Sequence, residues 1–123
     1  MAGEAVLVVD DNPVNVRLLR MLLGEAGYEV REAADAEQAM AVLRDFRPRM
    51  ILMDVRLPGL DGLELTRRLK ADPATRDVVI VGVTACAADG DAERVLAAGC
   101  DGYVAKPIDI HELLAMVDRH LRP

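Results

Sequence analysis

Three aspartates stand at positions where a small α/β protein could hold a metal ion. Asp10 and Asp11 follow the apolar run Ala5–Val9, and Asp54 follows the apolar run 50–53. A short apolar run followed by turn-forming residues predicts a strand that is buried on both faces. If the two strands lie side by side and parallel, their three carboxylates meet at one edge of the sheet, where open α/β sheets bind ligands.

Carboxylates that lie this close together favour a bound cation. Each negative charge raises the pKa of the other carboxyl groups, so the three cannot all stay ionised without a positive partner. The ligand atoms would all be hard oxygens, and Mg2+ accepts a few carboxylates together with water. The sequence therefore predicts a Mg2+ site at Asp10, Asp11 and Asp54.

The elements that must position these acids alternate regularly along the chain. Strands are predicted at 5–9, 28–33, 50–53, 78–83 and 102–105, and helices at about 13–26, 36–46, 62–70, 91–98 and 110–121. Capping side chains at Asn12, Asp35 and Asp109 mark helix starts. Gly27 and Gly99 mark helix ends.

This alternation predicts one α/β domain over residues 1–123, a doubly wound parallel sheet with helices on both faces. Periodicity does not fix the strand order. The flavodoxin-like (βα)5 order 2-1-3-4-5 is favoured because it makes the first and third strands neighbours and so brings their acids together.

Composition limits the partners and the location. The chain has 123 residues, of which 52% are hydrophobic and 2% aromatic, so the expected core is aliphatic. A net charge of −6 argues against direct binding of nucleic acid, which calls for basic patches. No apolar run is long enough for membrane insertion, and no signal pattern precedes the first strand, so a cytoplasmic location is expected. Cys86 and Cys100 lack metal-ligand spacing and are expected to be reduced.

The residues that end the strands occur in an order similar to that of a known family. The chain resembles, over its whole length, the response-regulator receiver domain of two-component and phosphorelay signalling, and most of all stand-alone cell-division receivers and hybrid-kinase receivers. The resemblance rests on Asp10-Asp11, Asp54 with Pro58-Gly59, Thr84-Ala85 and Lys106-Pro107.

The resemblance implies how the site works. Asp54 would take a phosphoryl group from a histidine kinase or a histidine phosphotransfer protein. Asp10 and Asp11 would hold Mg2+ with help from Asp54 and from the main-chain carbonyl of Arg56. The chain would then be no turnover enzyme, because it catalyses transfer only to its own side chain and its own dephosphorylation.

The resemblance also implies a switch. Thr84 and Lys106 would contact the phosphoryl oxygens, and the Lys106-Pro107 bond would be cis. As Thr84 moves inward, Tyr103 would turn in and remodel a surface that a downstream protein target binds. Arg56 and Cys86 would line the entrance for attacking water.

The first helix carries a candidate docking surface. Val16, Leu19, Leu22 and Leu23 form a sufficient core stripe on a helical wheel. A second apolar strip lies on roughly the opposite side, where a solvated helix would carry charge, and it consists of Val14, Leu18 and Met21. An apolar strip beside an active site is typical of a partner surface. By resemblance, the partner would also contact Pro107 and Ile108.

Other functions fit the sequence less well. A small aspartyl-phosphate phosphatase would need a D-x-D pair and a cap, and a nucleotide or flavin binder would need a glycine-rich phosphate loop, none of which occurs here. A receiver-like protein that only docks would not need the intact acid set. One alternative stays open, namely that the chain is a receiver domain taken from a larger hybrid kinase or multidomain response regulator.

Overall fold

Strands and helices alternate along the whole of the described chain. The computed structural model describes residues 4–56, 62–84 and 91–121. The strands are β1 (Ala5–Val9), β2 (Glu29–Ala33), β3 (Met50–Asp54), β4 (Val79–Thr84) and β5 (Gly102–Ala105). The helices are α1 (Pro13–Glu25), α2 (Ala36–Asp45), α3 (Gly62–Ala71), α4 (Asp91–Ala97) and α5 (Ile110–Leu121).

The strands form one parallel sheet in the order β2-β1-β3-β4-β5. The predicted flavodoxin-like order is therefore confirmed. β1 and β3 are neighbours, with Val9 paired to Met53, so the residues that follow these two positions leave the sheet side by side.

The core lies in two layers, one on each face of the sheet. Side chains of a strand alternate between the faces. In β1, Val6 and Val8 pack with α1 and α5, whereas Leu7 and Val9 pack with α2, α3 and α4. Each fully buried aliphatic side chain of this kind contributes about 1.5–3 kcal/mol. Burial from both sides explains why β3 is apolar along its length until it reaches Asp54.

The end of α1 sets the direction of the chain into β2. Gly27 has a φ of 98°, in the left-handed region that favours glycine. Its N–H donates to the carbonyl of Gly24, and the N–H of Tyr28 donates to that of Leu23, which is the Schellman arrangement.

The predicted element boundaries differ from the observed ones by single residues. α1, α2 and α4 each end one residue earlier than predicted, and α3 ends one later. β2 and β4 begin one residue later, because the main chain is still engaged in the preceding turns. The N–H of Tyr28 closes α1, and the N–H of Val78 donates to the carbonyl of Thr75.

Within residues 4–56, 62–84 and 91–121, no helix has both the length and the apolar character needed to cross a bilayer.

Candidate functional site

The predicted acids meet at the carboxyl end of the sheet. Asp10 and Asp11 follow β1, and Asp54 is the last residue of β3. One carboxylate oxygen from each lies within 4.8 Å of the other two. Asp10 and Asp54 are buried, with 4% and 5% of their surface exposed, whereas Asp11 is exposed to solvent. The cluster is therefore open on one side, where a ligand can enter.

Asp10 is held in place by the start of α1. Its carboxylate accepts hydrogen bonds from the N–H of Asn12 at 2.8 Å and from the side-chain amide of Asn15 at 3.5 Å. Its own N–H donates to the carbonyl of Ala33 at the end of β2. The sequence pointed to Asn12 only as a helix cap and did not point to Asn15. The signal for Asn15 was its position three residues after that cap.

Asp54 lies between an N–H donor and an ammonium group. One carboxylate oxygen accepts the N–H of Arg56 at 3.0 Å, and the other lies 3.4 Å from the Lys106 ammonium nitrogen. Burial raises the pKa of Asp54 above its usual range, and the negative charge of Asp10 adds to this rise. The Arg56 N–H and Lys106 oppose it without cancelling it. The expectation that like charges raise this pKa is thus correct in direction, but burial is the larger cause.

Lys106 and Thr84 reach the site from neighbouring strands. Thr84 ends β4 and is buried, and Lys106 directly follows β5. The N–H of Lys106 donates to the carbonyl of Thr84 at 2.7 Å, which fixes the two main chains against each other. The Lys106-Pro107 peptide bond is cis, as the family resemblance predicted.

Gly62 is a site residue that sequence reasoning missed. A Cβ atom at this position would overlap the main-chain carbonyl oxygen of Asp54. The Gly62 N–H donates to the carbonyl of Val55, so the first turn of α3 lies directly against the chain that leaves β3. The available signal was a glycine at the start of a predicted helix.

The remaining predicted positions lie around this centre. Tyr103 is 38% exposed on the edge strand β5, beside a cleft between α4, β5 and α5. Arg56 is exposed, and its N–H is engaged with Asp54. Pro107 is exposed, while Ile108 is half-buried and packs against the cluster formed by α1 and α5. The predicted positions Pro58-Gly59, Ala85 and Cys86 lie outside the described residues.

The apolar strip predicted on α1 is exposed. Val14 is 73% exposed, Met21 53% and Leu18 38%. The predicted core stripe faces inward, where Val16, Leu19 and Leu23 are buried and Leu22 is partly exposed. The helix thus has apolar residues on its outer face as well as on its inner one.

The acid cluster fits a hard divalent cation. The donors are three carboxylates, and Mg2+ prefers oxygen ligands and keeps several waters. The raised pKa of Asp54 also fits, because a group that is disfavoured as an isolated anion gains most from a positive partner. Combined with an ammonium and a hydroxyl group nearby, this arrangement suits a reaction of anionic oxygens.

Comparisons with known proteins give matches over nearly the whole chain. The sequence model of the response regulator receiver domain matches residues 6–118. The polar-differentiation response regulator DivK of Brucella anthropi is 37% identical over 118 residues, which cover 96% of either chain.

Solved structures agree with the sequence comparisons. The receiver domain of the sensor histidine kinase PA1611 of Pseudomonas aeruginosa, solved with a magnesium ion in its active-site cleft, is 42% identical with a TM-score of 0.87. That comparison covers 96% of this chain and 97% of the other. The chemotaxis response regulator CheY4 of Vibrio cholerae is 28% identical with a TM-score of 0.90, and 98% of this chain and all of the other are covered.

Proposed function

Since the chain belongs to the response regulator receiver domain family of two-component signalling, we propose that Asp54 accepts a phosphoryl group from a histidine kinase or a histidine phosphotransfer protein. The observation that supports this most is the setting of Asp54, a buried carboxylate at the open end of the central strand. One oxygen from each of two further carboxylates lies within 4.8 Å of one of its oxygens, and the Lys106 ammonium nitrogen lies 3.4 Å from its Oδ2 atom. In this proposal, residues 1–123 are a single receiver domain.

The proposed reaction is an in-line displacement at phosphorus. A carboxylate oxygen of Asp54 attacks the phosphorus of a phosphohistidine while the bond from phosphorus to the imidazole nitrogen breaks. The electron pair of that bond stays on the nitrogen. The product is an aspartyl-phosphate, and later attack of water on the phosphorus releases inorganic phosphate and restores the carboxylate. The chain therefore modifies itself and does not turn over an external substrate.

The metal in this proposal is Mg2+, which Asp10, Asp11, Asp54 and the main-chain carbonyl of Arg56 would hold. When bound, it supplies positive charge that lowers the repulsion between an anionic nucleophile and an anionic donor. The protein's own part is to keep these oxygens converged. Asp10 is held by the N–H of Asn12, and Asp54 by the N–H of Arg56.

Lys106 and Thr84 would hold the transferred group. The Lys106 ammonium already faces Asp54, so it can pair with a phosphoryl oxygen that arrives there. The Thr84 hydroxyl can rotate to donate a hydrogen bond to a second phosphoryl oxygen. Inward movement of Thr84 would leave space into which Tyr103 turns, and the surface formed by α4, β5 and α5 would change with it.

The partners in this proposal are proteins. The phosphodonor would dock on the apolar strip of α1, formed by Val14, Leu18 and Met21, together with Pro107 and Ile108. The downstream protein would bind the surface around Tyr103. Direct contact with nucleic acid and insertion into a membrane are not part of the proposal, and the expected location is the cytoplasm.

A phosphorylation assay tests the proposal. The purified chain is incubated with a small phosphodonor such as a phosphoramidate, either with Mg2+ or with a chelator, and its intact mass is measured. We expect one phosphoryl group per chain with Mg2+ and little or none with the chelator. A chain that gains no phosphoryl group in the presence of Mg2+ would overturn the proposed function.

A further inference from the structure

The outer face of α1 carries a local charge opposite to that of the whole protein. The net charge of the chain is −6, yet α1 (Pro13–Glu25) carries two basic residues, Arg17 and Arg20, and one acidic residue, Glu25, at its last position. On a helix, Arg17 neighbours Val14 three residues before it and Met21 four residues after it. A positive charge therefore borders the exposed apolar strip directly.

The two arginines are only loosely engaged within the protein. Arg20 lies 3.5 Å from Glu32, and both side chains are about half exposed or more, at 61% and 48%. An ion pair this exposed contributes little to stability. Arg17 makes no hydrogen bond or ion pair with any described residue. Both line a cleft of about 360 Å3 that reaches from α1 and β2 to Asp10 and Asp11. Neither guanidinium is thus committed to holding the fold together.

Gly24 leaves the same face of α1 without a side chain. A Cβ atom at Gly24 would have no heavy atom within 4 Å, so no contact inside the described structure requires glycine there. Glycine inside a helix costs about 0.5–1 kcal/mol relative to alanine. Gly24 lies three residues after Met21 and seven after Arg17, so the backbone of a partner can approach closely beside the apolar strip.

From these observations we infer that the phosphodonor presents an apolar surface bordered by acidic residues, and that one of these acids pairs with Arg17. The inference rests on the proposed function, because it names the chemistry of the partner that docks at the same site. Charge complementarity supports it. An acidic border on the donor would be attracted by Arg17 and Arg20, whereas the chain as a whole carries a net charge of −6.

Charge reversal at Arg17 tests the inference. The probes are the purified, phosphorylated histidine kinase cores and phosphotransfer domains of the source organism, and the donor that reacts fastest with the wild-type chain is used. The measured quantity is the transfer rate from this donor divided by the phosphorylation rate from a small phosphoramidate. We expect Arg17→Glu to lower this ratio about tenfold or more and Arg17→Lys to keep most of it. Arg44→Glu on α2, which packs on the other face of the sheet, changes the net charge equally and should leave the ratio unchanged.

Salt dependence and a second variant separate the possible outcomes. The loss in Arg17→Glu should shrink as salt is raised to 1 M, where the screening length falls to about 3 Å. An unchanged ratio in Arg17→Glu, or a loss that persists at high salt, would overturn the inference.

If Leu18→Asp slows transfer while Arg17→Glu does not, the docking surface stands but its charge recognition fails. A wild-type chain that accepts phosphate from the small donor and from none of the histidine proteins would also overturn the inference. A chain that accepts it from neither would overturn the proposed function itself.

Discussion

Asp54 combines two demands that oppose each other. Burial at the end of the central strand removes it from water and raises its pKa, while the proposed nucleophilic attack requires the ionised carboxylate. Lys106 and the N–H of Arg56 favour the ionised form, but they do not offset the burial. In the proposed function a divalent cation would complete the compensation, so metal binding and nucleophilicity would be coupled at this residue.

Metal binding at the acid cluster is the first residue-scale prediction. Mg2+ at a hundred times its dissociation constant should stabilise the wild-type chain by about 2.7 kcal/mol. Asp11→Ala should weaken Mg2+ binding, because a carboxylate ligand is lost. Lys106→Ala should leave the affinity equal or slightly tighter, because a positive charge 3.4 Å from Asp54 is removed. A Mg2+ titration that gives the reverse order for the two variants would contradict these roles.

The second residue-scale prediction concerns how much the buried Asp54 carboxylate lowers the stability of the folded chain. Burial raises the pKa of Asp54 in the folded chain above its usual value, so ionisation is harder in the folded chain than in the unfolded one. Asp54 should therefore lower the stability of the metal-free protein as pH rises above about 3.8, and not below it. Asp54→Asn, which cannot ionise, should be more stable than wild type at pH 7 without Mg2+ and similar at low pH. Denaturant unfolding at both pH values checks this, and a less stable variant at pH 7 would contradict it.

At the scale of the elements, two glycines make opposite demands. Gly24 in α1 has open space around it, whereas a Cβ atom at Gly82 in β4 would lie 2.6 Å from a methyl carbon of Val95. Val95 is fully buried, so it cannot swing away freely, and α4 is packed directly on the backbone of β4 at this point.

We therefore predict that alanine has opposite effects at these two positions. Gly24→Ala should stabilise the chain by about 0.5–1 kcal/mol through helix propensity. Gly82→Ala should destabilise it by about 1–3 kcal/mol, because overpacking forces Val95 and α4 outward. Chemical denaturation measures both changes. Equal effects at the two sites would show that the contact between Gly82 and Val95 does not limit packing.

The sequence predicted the elements well because local signals agreed with the global fold. Asn12, Asp35 and Asp109 each cap the helix that they were expected to begin, and Gly27 ends α1. The strand order followed from the need to bring acids together, which is a functional argument and not a periodic one. Gly62 and Gly82 were missed because their role depends on which atoms of distant segments approach them, and spacing along one chain does not contain that information.

Most residues of the site could also be predicted from the sequence. Asp10, Asp11, Asp54, Thr84 and Lys106 all stand at strand ends, and the parallel topology alone brings strand ends together. The role of Asn15 was missed because its hydrogen bond to Asp10 depends on side-chain geometry. The helical pattern alone does not distinguish such a residue from an ordinary polar surface residue.

For the whole molecule, the proposed function requires that a change at Asp54 reach a distant surface. The path available is the contact of β4 with β5, where Thr84 pairs with Ala105 and Gly82 with Tyr103. A complete shift of a two-state equilibrium from 1:99 to 99:1 needs about 5.5 kcal/mol of preference for one state. Weaker coupling would give a graded response.

We expect phosphorylation to change amide chemical shifts along this path. Shifts near Tyr103, in α4 and in the first turns of α5 should change together with those near Asp54. In Thr84→Ala the changes near Asp54 should persist while those near Tyr103 diminish, because the hydroxyl that couples the two is absent. Changes confined to the surroundings of Asp54 in the wild-type chain would contradict a switch of this kind.

The central claim is that Asp54 is the phosphoryl acceptor, and one labelling experiment tests it most directly. Wild type, Asp54→Asn and the control Asp45→Asn, an exposed acid at the end of α2, are incubated with a small phosphodonor and Mg2+. The intact mass of each chain is followed over time. Wild type and Asp45→Asn should gain one phosphoryl group at similar rates, and Asp54→Asn should remain unmodified while staying folded. Phosphorylation of Asp54→Asn at the wild-type rate would show that another residue accepts the group.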